Sequence, residues 1–331
     1  MARTSAPLLR TSERSSFKRC RWAWNQAFNV RIKSKHPTPA LKFGDLVHQA
    51  LAAYYKPGLR RGTAPAETFQ RLFEESRDQG YAEGLRDSEG NWEEMGELGT
   101  VLLEAYLAEY HERDKQYKVL SSEQTFRVPI KGADGKLLVT YVGTFDGVWE
   151  DRAGGAIFFP EHKTASAIAL DGLPLDEQAG SYWTYGPKWL RRQGILKEGQ
   201  NLSHIMYNYL RKGKPDARPK NELGQSLNQD GSVSKNQPSP LFVRQVIYRD
   251  EADRREMHNR VLAEAREMRE CRADPSRVYK NPGPLHMPNC RGCGYRDMCE
   301  LHETGNDWEA MRDATMEPWN PYDAHELVER R

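Results

Sequence analysis

Residues 143–165 read GTFDGVWEDRAGGAIFFPEHKTA, running from Gly143 to Ala165. The turn residues Arg152–Gly155 separate two apolar stretches, so the segment predicts two adjacent strands joined by a short loop. Asp146 sits on the first strand and Glu161 on the second, which lets the two carboxylates converge. Lys163 lies two positions beyond Glu161, and side chains two apart on a strand share a face. Two hard oxygen donors suit Mg2+ or Mn2+. A lysine beside them can hold or deprotonate a water, or stabilise developing negative charge. Together these are the parts needed for metal-assisted phosphodiester hydrolysis.

An acidic residue two before a lysine is a common pattern, and two of the 17 lysines satisfy it. Asp134-x-Lys136 lies in ADGK, where turn chemistry explains it. Glu161-x-Lys163 instead follows the apolar run Ile157, Phe158, Phe159. Carboxylate and lysine there are expected to be partly buried and to need partners. The plain structural reading is an ion pair at a strand end. Pro160 removes a strand donor, so the strand is expected to bulge or end at that point.

Working outward, VLSSEQTFRVPI and LLVTYVGTFDGVWE flank ADGK as a hairpin. LSHIMYNYLRK and LFVRQVIYR supply two further strands. FGDLVHQALAAYY places Phe43, Leu46/Val47, Ala50/Leu51 and Tyr54 on one helical face, with His48 at its edge. FKRCRWAWNQAFNVR predicts a short helix, and Ala64 to Lys115 predicts two more around GLRDSEGN. PLDEQAGSYWTYGPKWLRRQG predicts a helix disturbed at Pro187. Residues 250–272 predict a charged helix with Met257, Val261, Ala265 and Met268 along one side. Residues 213–240, rich in Gly, Pro, Asn, Gln and Ser, predict a mobile loop. The order implies a mixed α/β core with helical additions. We divide it into an N-terminal helical region (1–118), a core (119–272) and a C-terminal cysteine segment (273–331).

The 331 residues are 38% apolar and 29% charged, with net charge +2 and five cysteines. The composition predicts a soluble protein with no membrane span and no disulfide scaffold. MARTSAPLLRTSERSSFKRC lacks the apolar core of a signal peptide, so the expected location is the cytoplasm. Residues 1–35 carry many Arg and Lys and one acid, Glu13. Such an arm suits contact with phosphates, or is simply a solvated end. Cys290, Cys293 and Cys299 in NCRGCGYRDMCE give three metal ligands where four are usual. By spacing alone the fourth stays open between Cys271, His302 and His286, the histidines completing a zinc site. Cys271 falls in the charged helix on the side of Arg and Glu, which argues for a spare thiol.

His48, Gly143-Thr-Phe-Asp146, Glu161-His-Lys163 and Gln178-Ala-Gly-Ser-Tyr182 occur in the order and spacing of the PD-(D/E)XK nuclease superfamily, and the chain resembles its RecB-like branch. The resemblance implies a restriction-endonuclease-like mixed β-sheet core flanked by helices. It makes His48, Asp146, Glu161 and the His162 carbonyl ligands of Mg2+ or Mn2+, and Lys163 the catalytic lysine. Gln178 and Tyr182 would orient Lys163 or touch DNA. Members with an iron–sulfur clasp include AddB-type recombination nucleases and the exonucleases of CRISPR spacer acquisition, with phage-borne relatives. These carry one cysteine before the core and three after it. By that likeness Cys20 joins Cys290, Cys293 and Cys299 around a [4Fe–4S] cluster that clasps the chain ends. The implied activity is DNA exonuclease action on single-stranded ends, with a recombination or CRISPR-integration protein as possible partner. Arg19, Arg21, Trp22, Trp24 and Tyr185 are candidate strand contacts. A partner-binding protein with little activity and a zinc-stabilised nucleic-acid-binding module are the alternatives.

Overall fold

The computed structural model describes residues 7–35, 39–82, 92–284 and 289–326. GLRDSEGN (84–91) and His286 lie outside them. The β-branched and aromatic residues around ADGK form a long hairpin of β3 (Tyr117–Lys131) and β4 (Leu137–Asp151). A turn leads to β5 (Ile157–Ala165), and β6 (Leu202–Arg211) runs parallel to it. β7 (Phe242–Ile247) closes the sheet antiparallel to β6. β1 (Leu8–Leu9) adds a short parallel strand against Thr140 and Tyr141 of β4.

β3 occupies one edge of β4 along nearly its whole length, so β1 and β5 must share the other. β5 pairs with β4 only at Trp149/Phe158 and Glu150/Ile157, then diverges. Between that pairing and β1 the edge of β4 is open, and Asp146 lies in the gap. Pro160 falls just past the divergence. It does not end β5, which continues to Ala165 against β6 after a register shift between Ile157 and Phe159. The missing N–H matters little there, because the β4 side of β5 has already lost its ladder partner.

Alternation along the strands sends Phe158 and Met206 to one face and Phe159 and Ile205 to the other. The first face is covered by α3 (Pro39–Tyr54), α4 (Pro65–Ala82) and α5 (Trp92–Tyr110), through Val47, Leu51, Phe69, Leu103 and Tyr106. The second is covered by α6 (Glu177–Arg192) and α7 (Glu251–Ala273). The result is a mixed sheet flanked by helices, consistent with the expected restriction-endonuclease-like architecture.

α6 runs unbroken through Pro187. Proline leaves the carbonyl four residues back without its helical donor. That carbonyl, on Trp183, accepts instead from Arg254 Nε of α7 (3.4 Å). Cys271 is buried in the main core beneath Met268, not on the charged side of α7. Residues 213–240 form an irregular segment without a named helix or strand, stitched by the bridges Lys220/Ser226 and Leu227/Val233 and by bonds of Arg218 and Ser226 to Asp216.

The chain ends meet beside the core. FKRCRWAWNQAFNVR is not one helix: α1 (Thr11–Arg19) stops where Cys20 turns extended, and α2 (Arg21–Trp24) runs on into a π-helical stretch, Asn25–Val30. β2 (Ile32–Ser34) then pairs antiparallel with β8 (Met316–Pro318). α8 (Arg296–Glu303) and α9 (Trp308–Thr315) pack alongside, and α10 (Asp323–Glu326) ends the described chain. Arg14 does not face solvent as part of a basic arm. It is fully buried, pairing with Glu264 and donating to Ser181 Oγ (2.9 Å), so it anchors α1 to α6 and α7.

Candidate active site

The gap between β4 and β5 is bridged by side-chain chemistry where the ladder fails. Asp146 Oδ2 accepts the His162 backbone N–H (2.6 Å), and Asp146 Oδ1 meets His48 Nδ1 of α3 (3.2 Å). Burial alone would push the Asp146 carboxyl up, but His48 holds it well below its ordinary value. Burial alone would lower His48, and the charge and hydrogen bond of Asp146 raise it instead, to about 9. The two therefore form an ion pair at neutral pH.

Glu161 is 1% exposed on the next strand. Its Oε1 accepts from Lys163 Nζ (2.7 Å), which also donates to Gln178 Oε1 (3.0 Å). Gln178 Nε2 in turn donates to Tyr182 Oη (3.1 Å). One turn of α6 thus reaches over β5 and holds the lysine through its amide. Burial raises the Glu161 carboxyl despite Lys163, and Lys163 itself is raised by Glu161 after burial is overcome. An ammonium so held is a donor to negative charge and not a resting base.

Sequence reasoning missed Glu123. It lies on β3 across from Asp146, between the pairs Ser122/Gly147 and Gln124/Phe145, and takes a left-handed backbone with φ 44°. Donor atoms of His48, Glu123 and Asp146 all fall within 4.8 Å of one another, the set among the described residues that fits a metal ion. Glu161 stands outside this trio, engaged with Lys163. Desolvation in the cleft and the charge of Asp146 raise the Glu123 carboxyl to about 7. Counting equal distances from Asp134 and Gly135 of the hairpin turn would have placed Glu123 opposite Asp146.

His162 turns its ring away from the cleft. Its Nδ1 accepts from Asn208 Nδ2 (2.8 Å), and Asn208 Oδ1 accepts from Arg244 Nε (3.1 Å). Arg244 binds Asp114 through both terminal nitrogens (2.5 and 2.8 Å). Burial lowers the imidazole to about 4, so it stays neutral and serves as an acceptor.

A cleft of about 640 Å3 is lined by His48, Glu123, Asp146, Gln178 and Tyr182 and by residues of α1, while Glu161 and Lys163 are not among its lining residues. Of the candidate strand contacts, Arg19 lines it. Trp24 (0% exposed) and Tyr185 are core residues, Trp22 packs on Met298, and Arg21 pairs with Glu267. Their aromatic surface is spent on packing.

The cysteines gather at the joined chain ends. Burial raises the Cys299 thiol, with Cys20, Cys290 and Cys293 adding to the rise as near neighbours. Asn281 N–H donates to Cys20 Sγ (3.4 Å). His302 is held by Lys280 at Nδ1 (3.0 Å), its ring between Trp22 and Trp308. Cys271 lies in the separate main core.

Among known families, the model of the PD-(D/E)XK nuclease superfamily matches residues 11–300. No curated protein matches the chain. The matched span runs from the first residue of α1 past the third clustered cysteine. Among the described residues, no helix is long and apolar enough to cross a membrane.

Proposed function

The chain belongs to the PD-(D/E)XK nuclease superfamily, and from that footing we propose that it is a divalent-metal-dependent DNA exonuclease of the RecB-like branch, acting on single-stranded ends. The observation that carries this reading is the close trio of His48, Glu123 and Asp146, with Glu161 and the amide-held Lys163 on the neighbouring strand. His48, Asp146 and Glu161, with the His162 carbonyl, are the residues to hold Mg2+ or Mn2+, and Glu123 adds a third acid. The close donor set around Asp146 fits such an ion. When bound, the ion neutralises charge developing on the phosphoryl oxygens. Lys163, kept cationic by Glu161, donates to the attacking water or to the oxyanion. Gln178 fixes its ammonium, and Tyr182 fixes Gln178.

We also assign Cys20, Cys290, Cys293 and Cys299 to a structural [4Fe–4S] cluster. The likeness to clasp-bearing nucleases supports this assignment, as does the gathering of Cys20, Cys290 and Cys293 close enough to act on the Cys299 thiol. Such a protein would work at DNA ends in recombination, repair or spacer acquisition, beside a recombination or CRISPR-integration protein.

Digestion of end-labelled single- and double-stranded DNA with Mg2+ or Mn2+ is the test. Wild type should shorten single strands from an end, and Lys163→Ala should lose at least about a hundredfold in rate. Equal degradation by the two proteins removes Lys163 from the chemistry.

A further inference from the structure

α1 starts inside the active-site cleft. Its N-cap residue is Arg10, whose side chain makes no capping bond, so the first-turn N–H groups lack a side-chain acceptor from it. Thr11, Ser12, Ser15, Ser16 and Arg19 of this helix line the cleft, and so do Arg10 and His325. The Arg10 guanidinium lies over the rings of Phe28 and Tyr322 (5.9 and 5.6 Å to the centroids). Its Nε is buried without a hydrogen-bond partner among the described residues, and Glu13 acts on it through charge. Glu13, the acid of the first turn, is taken by Arg272, Trp24 and Tyr322.

His325 enters the same space from α10. It is 8% exposed, and its Nδ1 is buried without a partner among the described residues. The charges it feels are Arg10 and Arg127, both positive, and Arg127 donates to its carbonyl. Buried polar atoms are ordinarily satisfied, so an orphan imidazole nitrogen in a cleft marks a missing partner. The helix N-terminus and the two guanidinium groups that act on His325 make an anion the fitting partner there.

We propose that the N-terminus of α1, with Arg10, Ser12 and His325, forms a phosphate-binding pocket of the active-site cleft. It receives one phosphate of the strand that is cut at Asp146. The identity of the strand rests on the nuclease reading above, whereas the pocket stands on its own geometry. The phosphate is either the monoester at a strand end or an internal diester a fixed distance from the cut.

Binding of short single strands, with Ca2+ replacing Mg2+ to suppress turnover, distinguishes these sources. One series compares phosphate with hydroxyl at each end. A second places a single uncharged methylphosphonate at successive linkages. In wild type at least one phosphate should cost about tenfold in affinity when removed or neutralised, as a charge-assisted contact does. In Arg10→Gln the same change should cost less than twofold. A terminal phosphate identifies the monoester and an internal one the diester. If every phosphate that matters to wild type matters equally to Arg10→Gln, the proposal is wrong. Should that variant melt early, His325→Gln takes its place, and undiminished sensitivity there overturns the pocket equally. The readout needs no cleavage, so an inactive wild type would sink the nuclease reading and leave this test standing.

Discussion

At Asp146 one carboxylate has two tasks. Oδ2 replaces a missing ladder bond by accepting the His162 N–H, while Oδ1 faces His48 and the cleft. The same side chain therefore holds β5 at its splay and presents a donor to a cation. Glu123, across the hairpin, has no structural task of this kind, and its left-handed backbone aims it at the same space. Glu123→Gln should therefore weaken Mn2+ binding about tenfold in a calorimetric titration while leaving the melting temperature within a degree or two; unchanged affinity removes it from the ion's shell. Asp146, Glu161, Lys163, Gln178 and Tyr182 were legible because each falls in a motif of fixed local spacing. Glu123 carries no motif; counting from the hairpin turn gives its register, but its left-handed backbone is announced by no residue type. His325 is similarly silent in the sequence, and it permits a pH prediction. Its imidazole is lowered to about 4 by burial and by Arg10 and Arg127, against about 6.5 when unfolded. Below pH 6.5 the unfolded chain holds a proton that the folded chain refuses, so this group removes stability as pH falls from 6.5 to 4. The full contribution is about 3 kcal/mol. Raised carboxylates such as Glu161 and Glu123 act in the opposite sense over the same range, so the measurable quantity is a difference. His325→Gln should lose less stability than wild type between pH 6.5 and 4.5 in thermal melts, and parallel curves would contradict it.

The elements that matter most are β4 and α6, and they meet at a glycine. A Cβ on Gly143 would stand 2.7 Å from the Tyr182 ring and 2.8 Å from that of Phe126. Glycine is thus what lets α6 lie close enough for Gln178 to reach Lys163. Gly143→Ala should cost about 1–3 kcal/mol by overpacking. It should also lower the cleavage rate more than substrate affinity, because the shift passes along Tyr182 and Gln178 to the lysine. A variant as active as wild type would show that this contact does not position Lys163. Glycine within a strand signalled a close approach in the sequence, but what approaches it required the structure. The continuity of α6 through Pro187 was hidden for a related reason. Local rules foresee the lost N–H but not Arg254 arriving from another helix to serve the freed carbonyl.

Over the whole molecule, the β2–β8 pairing joins the terminal segments, and the cysteines gather beside it. The pairing of β2 with a strand more than 280 residues away could not be read from either segment, since each is only three residues long. Cys20 was legible only through resemblance, because nothing local marks it as a ligand. The two cysteines now make opposite predictions. Cys271 lies in the core beside Met268, so Cys271→Ala removes a small buried group and should leave bound iron unchanged at a cost of about 1 kcal/mol. If the proposed cluster is bound, Cys20→Ser removes a cross-link that closes almost the entire chain, for which loop-closure entropy is on the order of 5 kcal/mol. The short β2–β8 ladder and the Arg14–Glu264 pair still hold the ends, so the variant should fold. It should melt several degrees lower, expose the segment after residue 289 to protease, and carry less than half the iron of anaerobically purified wild type. A Cys20→Ser protein with full iron content and unaltered melting would show that the clasp closes on some other ligand, and the assignment of these four thiols to one cluster would fall with it.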